Sequence, residues 1–123
     1  MTERRPRSVY SFGEDPDPRF SLANERTALA GIRTAVAIIA AGVALAALVQ
    51  LTDVPAVMRW GAAVLCVAGA AVAVLTVVRW RKVERALRLQ EPLPAPQVLT
   101  PLVAVIVVLA LAAAAVAVVL GTP

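Results

Sequence analysis

The sequence predicts an all-α integral membrane protein that crosses a bilayer three times, with its N-terminus inside and its C-terminus outside. Three observations carry that expectation. Sixty per cent of the 123 residues are apolar, against roughly 45–50% in a soluble domain, and so short a chain has too little interior to bury them. Charge is absent between Arg33 and Asp53, between Arg59 and Arg79, and after Glu91. The basic residues that flank these stretches are also divided unevenly between the two sides.

The first helix is expected to start near Pro18. Asp17 is a helix-capping residue and Pro18 suits a first helical position, where its missing N–H costs nothing. Residues 1–17 form a separate polar segment, MTERRPRSVYSFGEDPD. Its prolines, glycine and alternating charge predict an extended or flexible chain. From Pro18 to Leu51 no proline interrupts the pattern. At 1.5 Å per residue this stretch is roughly 50 Å long, more than the hydrocarbon core needs. The helix therefore starts in water or headgroups, and only residues 31–51 or so cross the membrane.

A short turn at Thr52, Asp53, Val54 and Pro55 leads to a second span over residues 60–78, bracketed by Arg59 and Arg79. Trp60 and Trp80 stand at its ends, where an amphipathic ring favours the interface. The helix is expected to continue as RWRKVERALRLQ. Trp80, Val83 and Leu87 share one face there, with Arg81, Arg85 and Arg88 elsewhere, and Glu84 is placed to pair with Arg88 at i, i+4. The alternating prolines of EPLPAP predict a stiff polyproline spacer before a third span at about residues 100–120. Residues 18–123 thus form one three-helix membrane domain.

Orientation follows from the basic residues near the span ends. Arg4, Arg5, Arg7, Arg19, Arg26 and Arg33 lie on one side with Arg79, Arg81, Lys82, Arg85 and Arg88, and Arg59 stands alone on the other. The well-populated side is cytoplasmic, which predicts a multi-pass protein of the cell membrane. The same distribution explains a pI near 10.6 without a nucleic-acid partner.

Composition also bounds the chemistry. The chain has no histidine and a single cysteine, Cys66, within an apolar run. The commonest general base and transition-metal ligand is missing, an intramolecular disulfide is impossible, and Cys66 reads as a small packing residue. No acid pair, activated nucleophile or metal-ligand cluster is legible. The sequence therefore predicts no enzyme, no cofactor and no bound metal. Gly42-x-x-x-Ala46 and Gly69-x-x-x-Ala73 are spacings that permit close helix contact.

The polar stretch Asn24-Glu25-Arg26-Thr27, followed by Arg33 and Thr34, is the place where function is sought. Arg26 and Arg33 are seven residues apart, hence on one helix face and about 10 Å apart along the axis. Two readings of them stand. They anchor the helix by snorkelling to lipid phosphates, or they face an interface or cavity and bind an anion. Asn24, Glu25 and Thr27 surround Arg26 with polarity that calls for partners, and Glu25 is suited to pair with an arginine of a neighbouring helix or protomer.

LANERTALAGIRTAVAIIAAGVAL resembles the signature of the YidH-like family, domain of unknown function 202. Wider relatives include the small membrane subunit of the vacuolar transporter chaperone complex, which makes and translocates polyphosphate. Asn24, Glu25, Arg26, Thr27, Arg33 and Thr34 match the family pattern. Ala28 and Gly31 depart from it, since members usually carry bulkier residues there, and this departure is expected to open space beside the arginines. The resemblance implies a three-helix domain that assembles into oligomers, with Arg26 and Arg33 matching residues that line a central anion path.

Two functions follow as expectations. The first is a homo-oligomer whose arginine-lined cytoplasmic mouth binds or conducts an anion or polyanion such as polyphosphate. The second is a non-conducting adaptor or scaffold in which Arg79, Arg81, Lys82, Arg85 and Arg88 hold anionic lipid or a partner protein.

Overall fold

The computed structural model describes residues 7–11, 13–53, 55, 57–95 and 99–121, and all regular structure among them is helical. Arg4, Arg5, Val54 and Pro96, which enter the readings above, lie outside the described residues.

A short helix, α1 (Arg7–Tyr10), precedes two long ones, α2 (Pro18–Leu51) and α3 (Val57–Leu89), and α4 (Leu99–Gly121) follows. The α2 boundaries are those expected from its capping chemistry. Asp17 accepts a 2.9 Å hydrogen bond from the Arg19 N–H, Pro18 occupies the first turn, and the chain leaves helical geometry at Thr52. The α3 helix runs through the second span and its basic extension without a break.

The helices α2 and α3 form an antiparallel pair, and small residues set their separation. Gly31 packs on Thr76, Gly42 on Cys66 and Ala62, and Gly69 on Ile39 and Ala35. Ala35, Gly42, Ala62 and Gly69 are buried along this seam. The residues 28, 31, 35, 38, 42 and 45 of α2 recur at alternating steps of three and four, which keeps one stripe facing a partner helix. Both glycines picked out by spacing thus lie at a helix contact, and Cys66 packs there too. Ala46 is exposed.

Away from the seam both long helices show apolar side chains to the surroundings, including Val36, Val43, Leu48, Val64, Val67 and Val74. Only 11% of the most apolar stretch of each is buried inside the chain. Both helices are long and apolar enough to cross a membrane. The α4 helix has 23 residues, about 35 Å of helix, and among the described residues it packs against neither α2 nor α3.

The N-terminal segment differs from the extended chain expected of it. Arg7–Tyr10 is a helical turn packed on α3, and Val9 is the largest fully buried side chain described, 1% exposed. Gly13 makes the docking possible. Its φ of +68° suits glycine, and a Cβ there would overlap the Arg88 carbonyl. The Glu14 N–H donates to that carbonyl at 3.3 Å. Gln90 adopts a left-handed φ of 54°, which lets the Gln90 and Glu91 N–H groups reach the carbonyls of Leu87 and Ala86, a Schellman ending. Three carbonyls at the end of α3 are thereby satisfied, one of them by the N-terminal segment.

Candidate functional site

The polar residues of the described chain converge where the first turns of α2 meet the last turns of α3. Glu84 is the hub, only 3% exposed. Its carboxylate accepts hydrogen bonds from the Ser21 hydroxyl at 3.0 Å and the Asn24 amide at 3.2 Å. The Asn24 amide also donates to the Trp80 carbonyl at 3.2 Å. Buried carboxylates require such partners, and the seam register delivers them, because residues 21 and 24 begin the stripe of α2 that faces α3.

Arg88 completes the cluster from one turn further along α3. Its guanidinium lies 3.0 Å from Asp15 and 3.8 Å from Glu84, with its carbon 4.5 Å from the Tyr10 ring centre, a cation–π distance. The Glu84–Arg88 pairing expected from i, i+4 spacing is thus present but long, and Arg88 sits closer to Asp15. The Arg88 Nε atom is buried without a hydrogen-bond partner.

Two grooves flank the network. One, of about 260 Å³, lies between Tyr10, Glu25, Leu29, Ile32, Trp80 and Glu84. The other, of about 230 Å³, includes Phe20, Asn24, Thr27, Arg79, Leu87 and Leu93. Asn24 and its network separate them.

The polar motif of α2 therefore divides. Asn24 turns inward and holds α3. The Thr27 and Thr34 hydroxyls donate to Ala23 and Ala30 carbonyls of their own helix. Glu25 is exposed at the rim of the first groove, with no ion-pair partner among the described residues. Arg26 and Arg33 are exposed on the side of α2 opposite the seam, as their positions on the helical wheel require. Gly31 does not open space beside them. It lies in the seam, where the Thr76 side chain fills the room a larger residue would need. Ala28 lines the first groove.

On α3, Arg81, Lys82 and Arg85 are exposed and Arg79 is half-buried. Arg88 leaves the group expected to meet lipid or a partner, because burial at 6% exposure against Asp15 and Tyr10 turns it into the chain. Trp60 is 74% exposed, whereas Trp80 is half-buried between the helices.

Sequence reasoning identified Asn24, and Glu84 as a partner of Arg88, but did not link the two, and it missed Ser21, Tyr10 and Asp15. The available signal for Glu84 was its position as a lone acid in the basic end of α3. No local pattern linked it to residues some sixty positions earlier.

The family described as "Domain of unknown function (DUF202)" matches residues 19–86. The matched segment contains Ser21, Asn24 and Glu84, while Tyr10, Asp15 and Arg88 fall outside it. The inner membrane protein YidH of Escherichia coli K12 is 39% identical over 86 residues, which cover 70% of this chain and 75% of YidH. YidH of Escherichia coli O157:H7 and of Shigella flexneri align to the same extent. No solved structure matches the chain.

Proposed function

This chain belongs to the DUF202 family, and we propose that it assembles as a homo-oligomer whose cytoplasmic mouth, lined by Arg26 and Arg33, binds or conducts an anion or polyanion. It is a multi-pass protein of the plasma membrane. In this reading α4 supplies a third crossing, the N-terminus is inside, the C-terminus is outside, and the protein has no catalytic role.

One observation carries the reading. Arg26 and Arg33 stand one above the other on the face of α2 turned away from α3. The chain offers them no carboxylate among its described residues, which leaves both guanidinium groups open to an external anion, a headgroup or another protomer. When copies assemble through this face, the arginines form stacked rings at the membrane edge, an established route to anion selectivity. The resemblance to polyphosphate-translocating relatives favours a polyanion as the solute.

The exposure of Arg81, Lys82 and Arg85 favours a second reading, a scaffold that holds anionic lipid or a partner protein on the α3 extension.

Anion flux into liposomes separates the two, with oligomeric state measured by cross-linking in parallel. Arg26→Ala combined with Arg33→Ala should lower flux about tenfold or more, the effect of losing charge-assisted hydrogen bonds. Lys at both positions should give intermediate flux, because the charge stays and the bidentate fork is lost. A double-alanine protein that assembles and conducts like wild type would exclude the anion path and leave the scaffold.

A further inference from the structure

We propose that the groove between Glu25 and Glu84 seats the ammonium headgroup of an aminophospholipid. The proposal rests on the membrane placement of α2 and α3 and is independent of the Arg26–Arg33 anion path.

The groove carries negative charge at both ends. Glu25 stands at the rim without an ion-pair partner among the described residues. Glu84 forms the inner wall, and the two side chains that donate to it, Ser21 and Asn24, are neutral. The nearest cation, Arg88, is 3.8 Å away and is drawn towards Asp15 at 3.0 Å, so the charge of Glu84 is incompletely offset. A phosphate or carboxylate would meet repulsion here, whereas a cation would be attracted. The rings of Tyr10 and Trp80 line the same groove, and aromatic faces favour an ammonium group.

The apolar wall identifies a lipid as the bearer of that ammonium. Leu29 and Ile32 extend the groove along α2 towards Arg33, while Val77 and Thr76 continue it along α3 beyond Arg79. Arg33 and Arg79 are the last charges before the two uncharged stretches, so they mark the edge of the hydrocarbon. The groove straddles that edge, with carboxylates on the polar side and aliphatic carbons on the other. A volume of about 260 Å³ has room for a phosphoethanolamine head, leaving the acyl chains in the bilayer.

The full chain, delipidated in detergent, would be titrated with phosphatidylethanolamine or phosphatidylglycerol of identical acyl chains, and retention followed by native mass spectrometry. Retention of phosphatidylethanolamine should exceed that of phosphatidylglycerol about tenfold, as one hydrogen bond to a charged group provides. Glu25→Gln should reduce the preference to within about threefold, with circular dichroism and melting unchanged because Glu25 holds nothing in the fold. Glu84→Gln should act in the same direction, and if it fails to fold the exposed Glu25 variant still decides. Equal retention of the two lipids by wild type would overturn the proposal, as would a preference that survives Glu25→Gln. Saturable binding of dodecylammonium with no phosphatidylethanolamine preference would also overturn it, assigning the groove to a free amine.

Discussion

The Arg88 guanidinium lies 3.0 Å from Asp15, and this pair fastens the N-terminal segment to the last turn of α3. The two residues are unequal partners. The Arg88 side chain is 5% exposed and that of Asp15 is 72% exposed, so the pair joins a buried cation to a solvated acid. Water screens such an acid strongly.

Unequal burial predicts unequal mutational effects. Asp15→Asn should cost less than about 1 kcal/mol but speed proteolysis of residues 7–17. Arg88→Ala removes the contacts to Tyr10 and Asp15 and strips Glu84 of its nearest cation. It should cost about 3 kcal/mol. Denaturation in detergent, read alongside limited proteolysis, checks both. Equal stability losses would mean that the pair acts as a buried bridge.

The seam predicts opposite outcomes at two glycines of one helix. A methyl group on Gly69 would lie 2.5 Å from the Ile39 Cγ1 and 2.9 Å from the Ala35 carbonyl oxygen. Gly69→Val should therefore separate α2 from α3 at a cost of about 1–3 kcal/mol. At Gly61 the same group would meet only the Leu45 Cδ2 at 3.5 Å, an ordinary contact. Gly61→Ala should be neutral or stabilise by up to about 1 kcal/mol through helix propensity. Thermal denaturation in detergent reads both, and a stable Gly69→Val protein would contradict this seam.

Two neighbouring members of the polar motif should also part company. Asn24→Leu leaves Glu84 short of a donor in a buried site, and should cost about 1–3 kcal/mol. Thr27→Val removes only a hydrogen bond to the Ala23 carbonyl of the same helix, an exposed change worth less than about 0.5 kcal/mol. Melting temperatures of the two variants provide the comparison.

Topology is tested with an impermeant thiol reagent on intact cells in a Cys66→Ala background. A cysteine at Gln90 should be protected, and cysteines at Asp53 or Thr122 should be labelled. Labelling at Gln90 would reverse the orientation. Protection at Thr122 alone would remove the third crossing.

The sequence by itself determined the long helices, because their signals are local or periodic. Asp17-Pro18 starts α2, the charge-free stretches between arginines mark the apolar runs, and glycine spacing identified two close-packed positions. It also placed Arg26 and Arg33 on one helix face, since seven residues make two turns of any α-helix. Only the tertiary structure decided which way that face points. The direction depends on how α2 rotates against α3, and that rotation is set by where Gly31, Gly42 and Gly69 find partners on the other helix. The same rotation turned Asn24 inward and left Thr27 outside, although both belong to one polar run. The fate of Arg88 also lay beyond the local sequence. Its partners Asp15 and Tyr10 reach it only because Gly13, at a positive φ, lets the backbone approach the end of α3, a contact between segments that share no local pattern.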